Sequence, residues 1–126
     1  VEQVCIGLRL ILELVSERPP DARIAIVEIQ TAGADAFRRY GETLDSVAGF
    51  LALGREAAGA PKRLPESLEQ TTVSGVAWLL HRYLSLDKAS SVPDLFEDLA
   101  ALILEPYLGE DDARQTIARM LLAPPD

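Results

Sequence analysis

The stretch Pro65–Leu86, PESLEQTTVSGVAWLLHRYLSL, decides the fold class. Its 22 residues contain no proline after the first position and a single glycine, Gly75. Wound at about 100° per residue, Leu68, Thr72, Gly75, Val76, Leu79, Tyr83 and Leu86 share one arc. Val73, Ala77, Leu80 and Leu84 share the next. The spacing predicts one long helix, more than about 30 Å at 1.5 Å per residue. It is apolar over about half its circumference, and a surface helix of a monomer needs only one stripe. The first arc repeats near 3.5 residues, the spacing of helices that cross at a shallow angle.

Outward from this helix the chain reads as all-α. Leu and Ala together supply 37 of the 126 residues, and both favour helix. The one β-branched run, Ile24 to Ile29, also fits helical spacing. Proline and glycine mark the boundaries. A first helix is expected over Glu2–Glu17, ended by Pro19-Pro20, and a second from Pro20 to Gly33. A third is expected over Asp35–Ala58 with Gly41, Gly49 and Gly54 inside it, followed by a linker at 59–63. After the long fourth helix come a fifth over Pro93–Tyr107 and a sixth over Asp111–Leu122. The tail Pro124-Pro125-Asp126 is expected to fray. The fifth helix is also apolar in several directions, through Leu95, Phe96, Leu99, Leu102, Ile103, Leu104 and Tyr107. Two arrangements satisfy such a surplus. Both helices lie centrally in one protomer, or they meet a second copy in a four-helix bundle across a twofold axis.

Composition bounds the function. At 126 residues the chain is one domain with room for a hydrophobic core. Twenty acids against twelve bases give a net charge of −8, which repels nucleic-acid phosphates. Eight of those acids and only one base, Lys88, lie between Asp87 and Asp112, so the acidity belongs to the fifth helix and its ends. The single cysteine, Cys5, excludes an internal disulfide, and with a single histidine it argues against a zinc site. Cys5 is expected to pack as a small apolar residue. The acids match no metal-ligand motif, and no apolar run reaches a membrane span. The neighbours of His81 form no catalytic triad spacing, so no enzyme activity, cofactor or metal is expected.

Several short motifs carry a family resemblance in order. They are Glu17-Arg18-Pro19, Ala22-Arg23, Val27-Glu28, Ala32-Gly33 and Arg38-Arg39, then Leu64-Pro65, Ser74-Gly75-Val76 and Leu79-Leu80. Arg82-Tyr83-Leu84, Pro93-Asp94-Leu95 and Glu105-Pro106-Tyr107-Leu108-Gly109 complete the set. Together they resemble the C-terminal domain of TetR-family transcriptional regulators across nearly the whole chain. The resemblance implies a cytoplasmic bacterial repressor whose residues 1–126 bind an effector and form a homodimer. DNA would be read only by an N-terminal helix-turn-helix domain that this chain lacks. It implies pairing through the fourth and fifth helices, with Leu68, Thr72, Gly75, Val76, Leu79, Tyr83, Phe96, Leu99, Ile103 and Tyr107 at the interface. It also implies a mainly apolar effector pocket among the first four helices, lined by Leu8, Leu12, Ile26, Phe37, Tyr40, Phe50, Trp78 and His81. Glu28, Gln30, Arg38 and His81 would orient the ligand, although Glu28 with Arg38 or Arg39 also reads as an ion pair. Trp78 and His81 fall on the polar arc of the fourth helix with Gln70, Ser74 and Ser85, where they cover an interface, line a pocket or stand exposed. The alternative to a regulator is a stand-alone all-α dimeric module that binds a ligand or protein and has no DNA role.

Overall fold

A computed structural model describes residues 2–57 and 59–122. The described chain is all-α, with six α-helices and no strand. They are α1 (Glu2–Glu17), α2 (Pro19–Ala22), α3 (Ala34–Ala52), α4 (Leu68–Ser85), α5 (Phe96–Leu108) and α6 (Glu110–Leu122). The first helix has the expected bounds. The second is irregular: beyond Ala22 it widens into a π-helical stretch at Arg23–Val27, then tightens into a 3₁₀ turn at Glu28–Thr31. Ile24, Ile26 and Val27 are β-branched, which lowers the helix preference of this stretch. The third ends at Ala52 and closes with a 3₁₀ turn over Leu53–Glu56, and Ala58 lies outside the described residues. The fourth is shorter than expected, 18 residues or about 27 Å. The fifth begins three residues late, because Pro93 sits in a 3₁₀ segment spanning Ala89–Leu95. The tail at 124–126 also lies outside the described residues.

The core is built around α5. Phe96, Leu99, Ala100, Ile103, Leu104 and Tyr107 are all buried. A helix buried on adjacent positions at every turn is enclosed on more than one side, as its sequence demands. Onto it fold one stripe of α1 (Cys5, Leu8, Leu12, Val15) and one stripe of α6 (Ala113, Thr116, Ile117, Met120). The stripe of α1 packs against the Ala89–Leu95 segment, where Val92 is fully enclosed. Each fully buried leucine or valine here contributes about 1.5–3 kcal/mol. Arg9 latches α1 onto the end of α6. Its guanidinium donates to the Met120 carbonyl at 2.8 Å, one of the last-turn carbonyls a helix leaves open, and lies 5.1 Å above the Phe96 ring.

The acidic segment has a local cause. Glu97 and Asp98 occupy the first turn of α5, and Glu110, Asp111 and Asp112 the first turn of α6. Carboxylates there meet the positive end of the helix dipole. Gly109 joins these two helices at φ +85° and ψ 163°, a conformation that only glycine adopts without strain.

Candidate functional site

The long helix α4 turns its second arc inward. Val73, Leu80 and Leu84 are buried, while Val76, Leu79 and Tyr83 of the first arc pack half-buried against the core. One further residue belongs to the buried arc: Glu69, four positions before Val73 and only 6 % exposed. A carboxylate so placed needs donors. Arg55, carried by the 3₁₀ turn after α3, supplies two. Its Nε and Nη2 each reach a Glu69 oxygen at 2.9 Å. Tyr107, in the last turn of α5, donates its hydroxyl to Glu69 Oε2 at 2.5 Å. Arg55 also donates to the carbonyls of Leu64 and Pro65, so the same guanidinium holds the connection between α3 and α4.

The electrostatics follow from the geometry. The Arg55 guanidinium, bonded to Glu69, holds that carboxyl below its ordinary value, against the opposing effect of burial. Burial, reinforced by the bond to Glu69, pushes the Tyr107 phenol far above its ordinary value. At neutral pH the trio is an ion pair with a neutral hydroxyl donor.

Beside this network lies a cleft of 210 Å³, bounded by the N-terminal turn of α1, the end of α3 with its 3₁₀ turn, and the C-terminal half of α5. Val4, Phe50, Leu51, Leu53, Ala57, Ile103, Leu104 and Leu108 line it with Gly54, and the Tyr107 ring forms part of its wall. Gly54 allows that placement, since a Cβ there would stand 3.2 Å from a Tyr107 ring carbon. No charged side chain lines the cleft, and Gln3 supplies its one amide side chain. Past Gln3 and Leu108 it adjoins an open polar groove lined also by Glu2, Asp112, Gln115, Thr116 and Arg119.

The pocket expected from the resemblance is not assembled in this way. Of its eight residues only Phe50 lines the cleft. Leu8 and Leu12 lie on the same inward stripe as Cys5 and Val15 and are core. Ile26 and Tyr40 are half-buried, Phe37 is 56 % exposed, Trp78 sits on the face of α4 turned away from its buried arc, and His81 is half-buried at the edge of that face. The inner face of α1 is occupied by the Ala89–Leu95 segment, α5 and α6. The polar candidates have other partners. Arg38 pairs within its own helix, with Glu42 at 2.9 Å and Asp35 at 3.6 Å, rather than with Glu28. Gln30 donates to the Ile26 carbonyl at 2.7 Å.

The residues expected at a subunit interface are likewise divided. Phe96, Leu99, Ile103 and Tyr107 are buried in the protomer's own core, so α5 offers outward only Leu102, 67 % exposed, among acids. Leu68, Thr72, Val76, Leu79 and Tyr83 are half-buried, and Gly75 is exposed. The outward face of α4 is instead Thr71, Ser74, Gly75, Trp78, Arg82 and Ser85, a single helical stripe. Trp78 stands at its centre, 58 % exposed. Its ring stacks on His81, with centroids 5.1 Å apart and planes inclined by 12°, and His81 Nδ1 is enclosed without a partner. Cys5 is buried, and burial raises its thiol above the ordinary value.

Among the described residues no cluster of three or more His, Cys, Asp or Glu is placed to hold a metal ion. None of their helices is long and apolar enough to cross a membrane. No family model, curated protein or solved structure matches the chain.

Proposed function

We propose that this chain is the effector-sensing and dimerisation domain of a TetR-like transcriptional regulator, responding to a small, mainly apolar ligand and carrying no catalytic activity. The observation that carries the reading is Trp78. A large aromatic at the centre of an outward helical stripe, flanked by Ser74 and Gly75, suits close approach of a second helix. Its neighbour His81 stacks beneath it and holds the ring in one orientation, which lowers the ordering needed on association. The partner is a second copy of the chain, with the two α4 helices meeting across a twofold axis.

In this mechanism the ligand shifts a population between two placements of the paired subunits, because it binds one placement more tightly. A net charge of −8 disfavours contact of this chain with DNA, so in this reading a separate domain reads the DNA. Light scattering at micromolar concentration tests the pairing. The chain is expected at about twice 13.7 kDa, and Trp78→Glu at 13.7 kDa with its helical circular dichroism retained. A wild-type chain that stays monomeric at high concentration overturns the reading.

A further inference from the structure

We infer that the cleft beside Tyr107 binds a small uncharged molecule with an apolar body, and that the Tyr107–Glu69 hydrogen bond relays its occupancy to the first turn of α4. The inference takes its meaning from the sensing role proposed above, but its location is a different one from the chamber expected among the first four helices.

Size and lining set the ligand class. A cavity of about 150 Å³ lined by aliphatic and aromatic side chains is known to take benzene. This cleft is larger, 210 Å³, but open at a rim formed by the exposed Phe50 and Leu53, and it has room for a monocyclic aromatic ring or a short alkyl chain with one small substituent at the open side. It falls below the usual 300–1,000 Å³ of sites for larger ligands. Aliphatic walls such as Leu51, Ile103 and Leu104 supply no compensation for a charge. The Tyr107 hydroxyl is already committed to Glu69, so its ring, not its oxygen, is what a ligand meets. One polar substituent is accommodated at the mouth, where Gln3 stands between the cleft and the polar groove. Glu2 and Asp112 on that groove disfavour an anionic head, and the apolar walls within offer no partner to a charge of either sign.

The relay follows from connectivity. Tyr107 touches the cleft with its ring and Glu69 with its hydroxyl. Glu69 is the second residue of α4, the helix that carries Trp78. Gly54 lets the ring sit against the backbone of the turn that also carries Arg55. A ligand that presses on the ring therefore acts on the donor of a short hydrogen bond and, through the carboxylate, on the start of α4.

Benzyl alcohol is the probe, with benzoate as its charged counterpart. At tenfold excess over its dissociation constant, benzyl alcohol is expected to raise the melting temperature of the wild-type chain by about 3–6 °C. Ala57→Phe, which fills the cleft from its rim, is expected to abolish that rise. Ala57→Leu serves if the larger ring impairs folding. Benzoate is expected to give a rise at least several-fold smaller at equal concentration. Amide NMR follows the relay: benzyl alcohol perturbs Val4, Leu53 and Ile103, and with them Glu69–Thr72. In Tyr107→Phe the first group still responds and the second does not. No thermal shift, an equal shift in both Ala57 variants, or an equal effect of benzoate overturns the site and its ligand class. Perturbation of Glu69–Thr72 that survives in Tyr107→Phe, or is absent from the wild type, overturns the relay. The association state is read separately by light scattering, so loss of this inference and loss of the pairing are distinguishable.

Discussion

Tyr107 and Glu69, 38 positions apart in the chain, share a 2.5 Å hydrogen bond that joins the last turn of α5 to the first turn of α4. Arg55 closes the same carboxylate from the other side. One buried acid thereby ties α4 to the last turn of α5 and to the 3₁₀ turn after α3. Glu69→Ala is expected to destabilise the chain by about 1–3 kcal/mol, since the buried Tyr107 hydroxyl is then left without an acceptor. Tyr107→Phe removes one of three hydrogen bonds to the acid and is expected to lose only about 0.5–1.5 kcal/mol. Urea titration of both variants checks the ranking, and a loss in Tyr107→Phe as large as that in Glu69→Ala would show that the phenol hydroxyl, not the Arg55 pairing, carries the network.

The same trio sets a pH window. The folded chain holds the Glu69 proton more weakly than the unfolded chain does, chiefly through the hydrogen bond from Arg55. Its contribution is therefore complete above the ordinary glutamate value near 4.3 and lost as pH falls through the lowered folded value. Tyr107 is shifted the other way, by burial first and by Glu69 second. Its contribution is complete below about pH 10 and lost as pH rises beyond. Stability measured across pH is expected to fall at both limits. Glu69→Ala should flatten the acid limb and Tyr107→Phe the alkaline one.

At the end of α4 the chain closes with two backbone bonds, Lys88 N–H to the Tyr83 carbonyl at 2.8 Å and Asp87 N–H to the Leu84 carbonyl at 3.3 Å. This helix stop normally places glycine in the left-handed position, yet Asp87 occupies it at φ +57°. Asp87 also pairs with Arg23, but both side chains are substantially exposed and such pairs contribute little. Asp87→Gly is expected to stabilise the chain by about 0.5–1 kcal/mol, read as a rise in melting temperature. A fall of similar size would assign the Arg23 pair a weight its exposure does not suggest.

Two glycines near the end of α3 should respond oppositely to alanine. At Gly49 an added Cβ meets nothing within 4 Å, so Gly49→Ala gains helix preference, up to about 1 kcal/mol. At Gly54 the Cβ meets two Tyr107 ring carbons at 3.2 and 3.3 Å, and that ring is tethered at its hydroxyl. Gly54→Ala is expected to destabilise by about 1 kcal/mol, overpacking outweighing preference. Equal gains from both would show that the ring yields freely.

Much of the architecture was legible in the chain itself because helices are written locally. The 3.6-residue recurrence of Leu8, Leu12 and Val15, the Pro19-Pro20 break and the Gly109 stop depend on neighbours in sequence. They place α1 and the α5–α6 junction to within a residue or two. The site was less legible. Glu69 carried a readable signal: it heads the arc Val73, Ala77, Leu80, Leu84, and an acid on a buried arc requires a cation. Nothing along the chain names Arg55 as that cation, 14 residues earlier across a connection, or Tyr107 as the third member.

Composition and period alone establish an all-α chain, the bounds of α1, the Gly109 break, an unevenly placed charge, and an apolar surface on α4 and α5 wider than one stripe. Where that surface goes is a matter of packing between distant segments. Helix α5 lies under α1, α6 and the Ala89–Leu95 segment, so its surplus is buried within the protomer. Helix α4 keeps Trp78 outward, because its inward direction is set by the arc from Glu69 to Leu84. The physical reason is that periodicity shows how many faces of a helix are apolar. Which neighbour covers each face depends on packing between segments far apart in the chain.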